Sequence, residues 1–127
     1  MTDVSQNQPT DSPDSVEAVR DLALLAAVEI VGLHAVDLMT ATAVKLGLFE
    51  GGDETRDLAE ARILIEVLAG FVDGAAREVG HHHAAPMRDG LKSLQMAFRE
   101  YSHIQDEPGQ GPGERYTGYV APAKPKQ

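Results

Sequence analysis

Three stretches of the chain repeat apolar residues at helical spacing, while strand signals are few. The first predicts one long helix over residues 16–46. On a helical wheel Leu24, Leu25, Val28, Val31, Ala35, Val36, Leu38, Met39, Ala43 and Leu46 cover more than half the circumference. Arg20, His34, Asp37 and Lys45 group on the remaining side. Residues 12–15 (Ser-Pro-Asp-Ser) supply cap candidates, Pro13 suits a first helical position, and Gly47 falls just past the end. An apolar arc this wide needs partners on two sides, more than two shorter helices of one small chain supply.

The second helix is expected to start near Asp53 or Thr55 and to stop before Gly80. Glu54, Asp57 and Glu60 lie in its first turns, where the helix dipole favours negative charge. Ala61, Ile65, Leu68, Val72, Ala75 and Val79 alternate spacings of four and three, forming a seam that Leu64 and Phe71 widen. Gly70 and Gly74 weaken this helix and mark places where a neighbour comes close. The third helix is expected from Pro86 to Tyr101, with Met87, Leu91, Leu94, Phe98 and Tyr101 on its seam. These elements predict an all-α fold: a three-helix antiparallel bundle with a long first helix. Self-association is expected, as a dimer through that helix.

The ends differ in kind. Residues 1–14 are polar and acidic and predict a disordered N-terminal tail; residues 15–104 form the helical domain. Residues 105–127 predict a flexible tail, because Glu107-Pro108-Gly109-Gln110-Gly111-Pro112-Gly113 propagates neither helix nor ladder. Within that tail Arg115, Tyr116 and Tyr119 stand out, since the chain has only three tyrosines. They are candidate contacts for a bundle groove or for a partner, and the alternative is a solvated end without function.

Composition narrows the function classes. The chain has 127 residues and a net charge of −9, with 20 acidic residues against 11 Lys and Arg. An acidic surface argues against direct nucleic-acid contact, which depends on clustered cations. Cysteine is absent, which excludes disulfides and thiolate chemistry. The opening residues are unlike a signal peptide, and Glu29 and Asp37 interrupt the best membrane-span candidate, so a cytoplasmic protein off the membrane is expected.

Catalytic signals are weak. His81, His82 and His83 are candidate metal ligands, and Glu78-x-x-His81 has the spacing of carboxylate-bridged di-iron bundles. Such sites need a second pair and two further glutamates, and Gly80 separates these ligands, so a solvated connector is the expected reading. His34 and Asp37 on the first helix fit a polar stripe, and Ser93 lacks the turn motif of a nucleophile. No cofactor and no enzymatic activity are expected.

Four blocks resemble the bacterial family, common in actinobacteria, known as domain of unknown function 1844. They are Ala43-Val44-Lys45-Leu46-Gly47-Leu48, Glu60-Ala61-Arg62 through Leu68-Ala69-Gly70, the run from His83-Ala84-Ala85-Pro86 to Phe98-Arg99-Glu100, and Asp106-Glu107-Pro108 through Tyr116-Thr117-Gly118. The resemblance implies a small helical cytoplasmic protein with no assigned activity and no cofactor. It also implies a gene neighbourhood containing a translation initiation factor and ribosomal proteins. The three histidines and residues 120–127 depart from the family pattern. The leading expectation is a non-enzymatic interaction or scaffold protein working through its helix surface and tail, with an unidentified protein partner. Alternatives are a metal- or small-ligand-binding protein using Glu78 and His81–His83, and a translation-associated factor acting through a protein partner.

Overall fold

Asp57 starts the central helix. Its backbone is extended, and its carboxylate accepts the Glu60 N–H at 3.1 Å, satisfying one donor that a helix start leaves unpaired. The computed structural model describes residues 13–123, in which this helix is the third of five. They are α1 (Pro13–Leu24), α2 (Ala27–Lys45), α3 (Leu58–Val79), α4 (His81–Tyr101) and the single turn α5 (Glu114–Thr117), with a 3₁₀ turn at Gly52–Glu54 between α2 and α3. The described residues are helical without strands, as the all-α expectation requires. Four helices are long, however, where three were expected. Residues 1–12 of the expected acidic tail, and 124–127 at the other end, lie outside the described residues.

The expected first helix is split. Ala26 has ψ 152°, so the chain turns there and α2 begins anew. Leu24, Leu25, Ala26 and Ala27 are all sound helix formers, and their propensity gives no sign of a break. The polar group serving the new start is Glu29, whose carboxylate accepts the Ala26 N–H at 2.9 Å. The consequence for packing is large. Leu24 is 85% exposed, and Val16, Val19 and Leu22 also face outward, so α1 lies off the core. The inner face of α2 stays on it: Ala35 and Thr42 are buried, and Val31, Leu38, Met39 and Ala43 pack against the cluster. By length and composition alone α2 is long and apolar enough to cross a membrane, yet this face is packed against α3 and α4.

The seams of α3 and α4 meet as the spacing predicts. Ala61, Ile65, Leu68, Val72 and Ala75 are buried against Met87, Leu91, Leu94 and Phe98. The helices are antiparallel: Arg62 near the start of α3 lies over the Phe98 ring near the end of α4. The end of α2 comes back to the same place, since the Lys45 carbonyl accepts the Asp57 N–H at 2.7 Å. Gly90 is the close crossing of α2 and α4, where a Cβ would run into the Met39 sulfur.

The third expected helix starts earlier than Pro86. Gly80, at φ 90°, ends α3 and caps α4 at once, so the three histidines form the first turn of α4 and are not a loop. Pro86 sits inside that helix. It gives up only one backbone bond, close to an end where several donors are unpaired anyway. Burial of Ala84, two residues before the proline, extends the core upward.

The core predicts its own sensitivity. Leu68 is fully buried at the centre of α3. Leu68→Ala should destabilise the fold by about 2–5 kcal/mol in urea denaturation. Ile104→Ala, at a side chain 90% exposed just after α4, should change stability by no more than about 0.5 kcal/mol.

Candidate functional site

Arg99 is a charged residue on an otherwise apolar quarter of α4, one turn after Gln95 and next to Phe98. Both polar side chains are buried, at 2% exposure each. What buries them is the segment after α4. It was expected to be a flexible tail; residues 105–123 instead fold back as a strap across α3 and α4. The glycines and prolines that rule out helix and strand also let the backbone approach closely. Gly113 has φ 76°, and a Cβ there would lie 2.9 Å from both the Ala69 Cβ and the Gln95 Nε2.

Glu114 anchors the strap. Its carboxylate takes two hydrogen bonds from Arg99, at 2.7 Å from Nη2 and 3.0 Å from Nε, a bidentate fork. The backbone N–H groups of Gly109, Gly111 and Val120 also donate to it, at 2.9, 3.1 and 3.2 Å. Arg99 spends its remaining donors on the Asp106 and Glu107 carbonyls and on the Gln105 side chain. The pair is therefore desolvated but fully hydrogen-bonded, which is the condition under which buried charges are tolerated. The hydrogen bond that Arg99 donates to Glu114 raises the guanidinium pKa above its ordinary value, against the opposing effect of burial. Burial pushes the Glu114 carboxyl upward. The hydrogen bonds from Arg99, Val120 and Gly111, with the nearby positive charge, outweigh it and hold that carboxyl below its ordinary value.

Glu66 on α3 supplies a second anchor, accepting the Gly113 N–H at 2.8 Å and the Arg115 guanidinium at 2.7 Å. The three tail residues singled out in the sequence are thus seated within the chain. Arg115 pairs with Glu66 and lies 4.9 Å from the Tyr116 ring. The Tyr116 hydroxyl rests over Gly70, the close approach expected there, whereas nothing comes near Gly74. Tyr119 lies beneath Arg99 at 5.0 Å, and both rings stay about half exposed.

Between strap, α3 and α4 runs a cleft of about 430 Å³. Its walls include Val72, Leu91 and Val120, its rim Tyr116 and Tyr119, and its charged groups Asp73, Arg88 and Lys92. Gln95 also lines it. That carboxamide donates to the Pro112 carbonyl at 3.1 Å and to the Thr117 hydroxyl at 3.0 Å, and its Oε1 is buried with no hydrogen-bond partner among the described residues.

The histidine candidates do not converge. His81, His82 and His83 are exposed on the first turn of α4, Glu78 is exposed on the last turn of α3, and Gly80 turns the chain between them. The His81 Nδ1 lies 2.6 Å from Arg88, a cation where a metal ion would have to sit. Among the described residues no three His, Asp or Glu side chains are grouped to hold a metal. Arg99, Glu114, Gln95 and Glu66 were not recognised in the sequence. The available signal was that Gln95 and Arg99 interrupt the apolar quarter of α4 beside Leu91, Leu94 and Phe98.

Two consequences follow from the anchor. Glu114→Gln leaves Arg99 buried without its counter-charge and should cost about 3–5 kcal/mol in urea denaturation. Because the folded Glu114 carboxyl is held low, its contribution is complete above the unfolded value of about 4.3 and disappears as pH falls through the lower folded value. Tyrosine fluorescence, with two of three tyrosines on the strap, should report an acid transition below about pH 4 that Glu114→Gln abolishes.

No curated protein and no solved structure matches the chain. Residues 27–100, from the start of α2 almost to the end of α4, match a family sequence pattern, while the strap that had seemed to complete the resemblance lies beyond the matched span. Over more than half its length the chain carries that pattern, and it belongs to the family described as domain of unknown function (DUF1844).

Proposed function

We propose that the protein is a non-enzymatic interaction protein of the cytoplasm that joins a second copy of itself through α1 and the outer face of α2. The observation that carries this reading is the exposure of large apolar side chains on the chain's most apolar long helix. Leu33 and Val36 are 55% and 54% exposed, and Val44 also faces solvent. The outer face has its own order: Ile30, Leu33, Asp37, Thr40 and Val44 alternate spacings of three and four. That is the seam of a helix that pairs with another helix. Val16, Val19 and Leu22 add apolar surface from α1.

Two polar members of the seam, Asp37 and Thr40, suit a protein surface better than lipid chains, since a carboxylate in hydrocarbon costs several kcal/mol. The overall net charge of −9 likewise disfavours an anionic membrane. Each large side chain moved from water into an interface contributes about 1.5–3 kcal/mol, so a few of them offset the cost of association. The charged groups buried in the fold, Arg99 and Glu114, are occupied in holding the strap, which favours a binding role over a catalytic one.

Light scattering on the full chain at about 100 µM, well above the Kd of roughly 1 µM that corresponds to about −8 kcal/mol, should give close to twice the chain mass. Leu33→Glu together with Val36→Glu should give a monomer whose circular dichroism keeps its helix content. A monodisperse wild-type monomer would overturn the proposal.

A further inference from the structure

The outer seam of α2 carries two polar groups that the fold leaves unused, and they decide how two copies meet. We propose that the two α2 helices pair antiparallel, in the register that sets Asp37 of each copy opposite Thr40 of the other. The arrangement rests on the self-association described above and assigns its orientation and its specificity-determining residues.

Asp37 and Thr40 are exposed, and neither side chain makes a hydrogen bond or ion pair among the described residues. Thr40 is unlike Thr42, Thr55 and Thr117, whose hydroxyls each donate to a backbone carbonyl. The two open groups are complementary: a carboxylate only accepts, and a hydroxyl has one proton to give. Their setting is complementary as well. Leu33 precedes Asp37 by four residues and Val44 follows Thr40 by four, both exposed, so the seam reads apolar, polar, polar, apolar from either end. A face with that symmetry matches its own reverse, as a two-fold interface requires.

The alternatives fail on the same carboxylate. A parallel pair places Asp37 against its own copy, two like charges drawn out of water with no donor between them. The antiparallel register one turn away places Asp37 against Leu33, a charge against an apolar side chain. In the remaining register each Asp37 accepts the Thr40 hydroxyl of the second copy, and Leu33 packs on Val44. One polar layer thus fixes direction and register, as a polar residue in a coiled-coil seam does. The ends of the helix gain from it. Leu48 and Phe49, exposed just past α2, come level with residues 29 and 28 of the second copy. That is beside the turn at Ala26, where Leu22 and Leu24 of α1 are exposed.

The natural chain has no cysteine, so introduced thiols report on pairing without interference. Full-length Leu33→Cys and Val44→Cys proteins are mixed in equal amounts at about 100 µM, above the Kd range of a stable pair, and oxidised. Intact mass spectrometry separates the mixed disulfide from the two like-with-like products. The mixed product should exceed each of the others at least tenfold. Two copies of position 44 lie roughly 16 Å apart along the paired helices at 1.5 Å rise per residue, beyond the Cα separation of about 7 Å that a disulfide spans. Thr40→Val supplies a second readout whose sign is diagnostic. On a featureless apolar patch it would tighten the dimer. Here it strips Asp37 of its donor and should weaken dimerisation at least tenfold in a dilution series, with helix content unchanged by circular dichroism. Predominant like-with-like disulfides, or a Thr40→Val dimer as tight as wild type, would overturn the orientation and leave the dimer standing. A wild-type chain that scatters as a monomer would overturn both the orientation and the self-association on which it rests.

Discussion

A guanidinium carried into the interior of a helical bundle must find its counter-charge and its hydrogen-bond acceptors there, or it will not stay. Arg99 meets that demand with the strap: Glu114 supplies the charge, while Asp106, Glu107 and Gln105 supply the remaining acceptors. Everything else about the C-terminal half depends on this. Gly111 must lack a side chain, since a Cβ there would lie 2.8 Å from Glu114 and 2.9 Å from Arg99. Gly113 must lack one to pass over Ala69. Val120 can be buried only because the segment leading to it is held down. The strap in turn forms one wall of the cleft, so the same ion pair that stabilises the fold also shapes its concavity.

The N-terminal half follows a different rule. There the fold leaves apolar surface uncovered: α2 uses one face on α3 and α4 and turns a second one outward, and α1 adds more. The molecule thus has an apolar region at one end of the chain and a polar, strapped region at the other. An assembly through the first would not disturb the second, since α1 and the outer seam of α2 contribute nothing to the cleft.

How far the sequence discloses this varies with the physics of each part. The seams of α3 and α4 were legible because burial of Ile65, Leu68, Leu91 and Phe98 imposes a period that survives in a single sequence. The exposed second face of α2 was legible too, as an apolar arc wider than this chain can cover. The break at Ala26 was not, because it sits among strong helix formers and only the Glu29 return bond marks it. The start of α4 was misplaced because Pro86 resembles a first-turn residue, and a positive φ at Gly80 leaves no trace in local propensity. The strap was invisible for a deeper reason. Glycine and proline are used both by chains that never order and by chains that must pass close to a neighbour, and composition does not separate the two. What does separate them is a partner far along the sequence, and Glu66 lies 47 residues from the amide it holds at Gly113.

One further consequence belongs to the way the strap's backbone is satisfied. Gly109, Gly111, Gly113 and Val120 give their amide protons to the carboxylates of Glu114 and Glu66, where a helix or ladder would give them to carbonyls. These amides open only when a charged side chain lets go, and Glu114 holds three of them at once. Hydrogen exchange along this stretch is then governed by a cooperative unit with no regular secondary structure beyond the single turn of α5. These four amides are expected to meet solvent at the rate of the core and not at that of a loop.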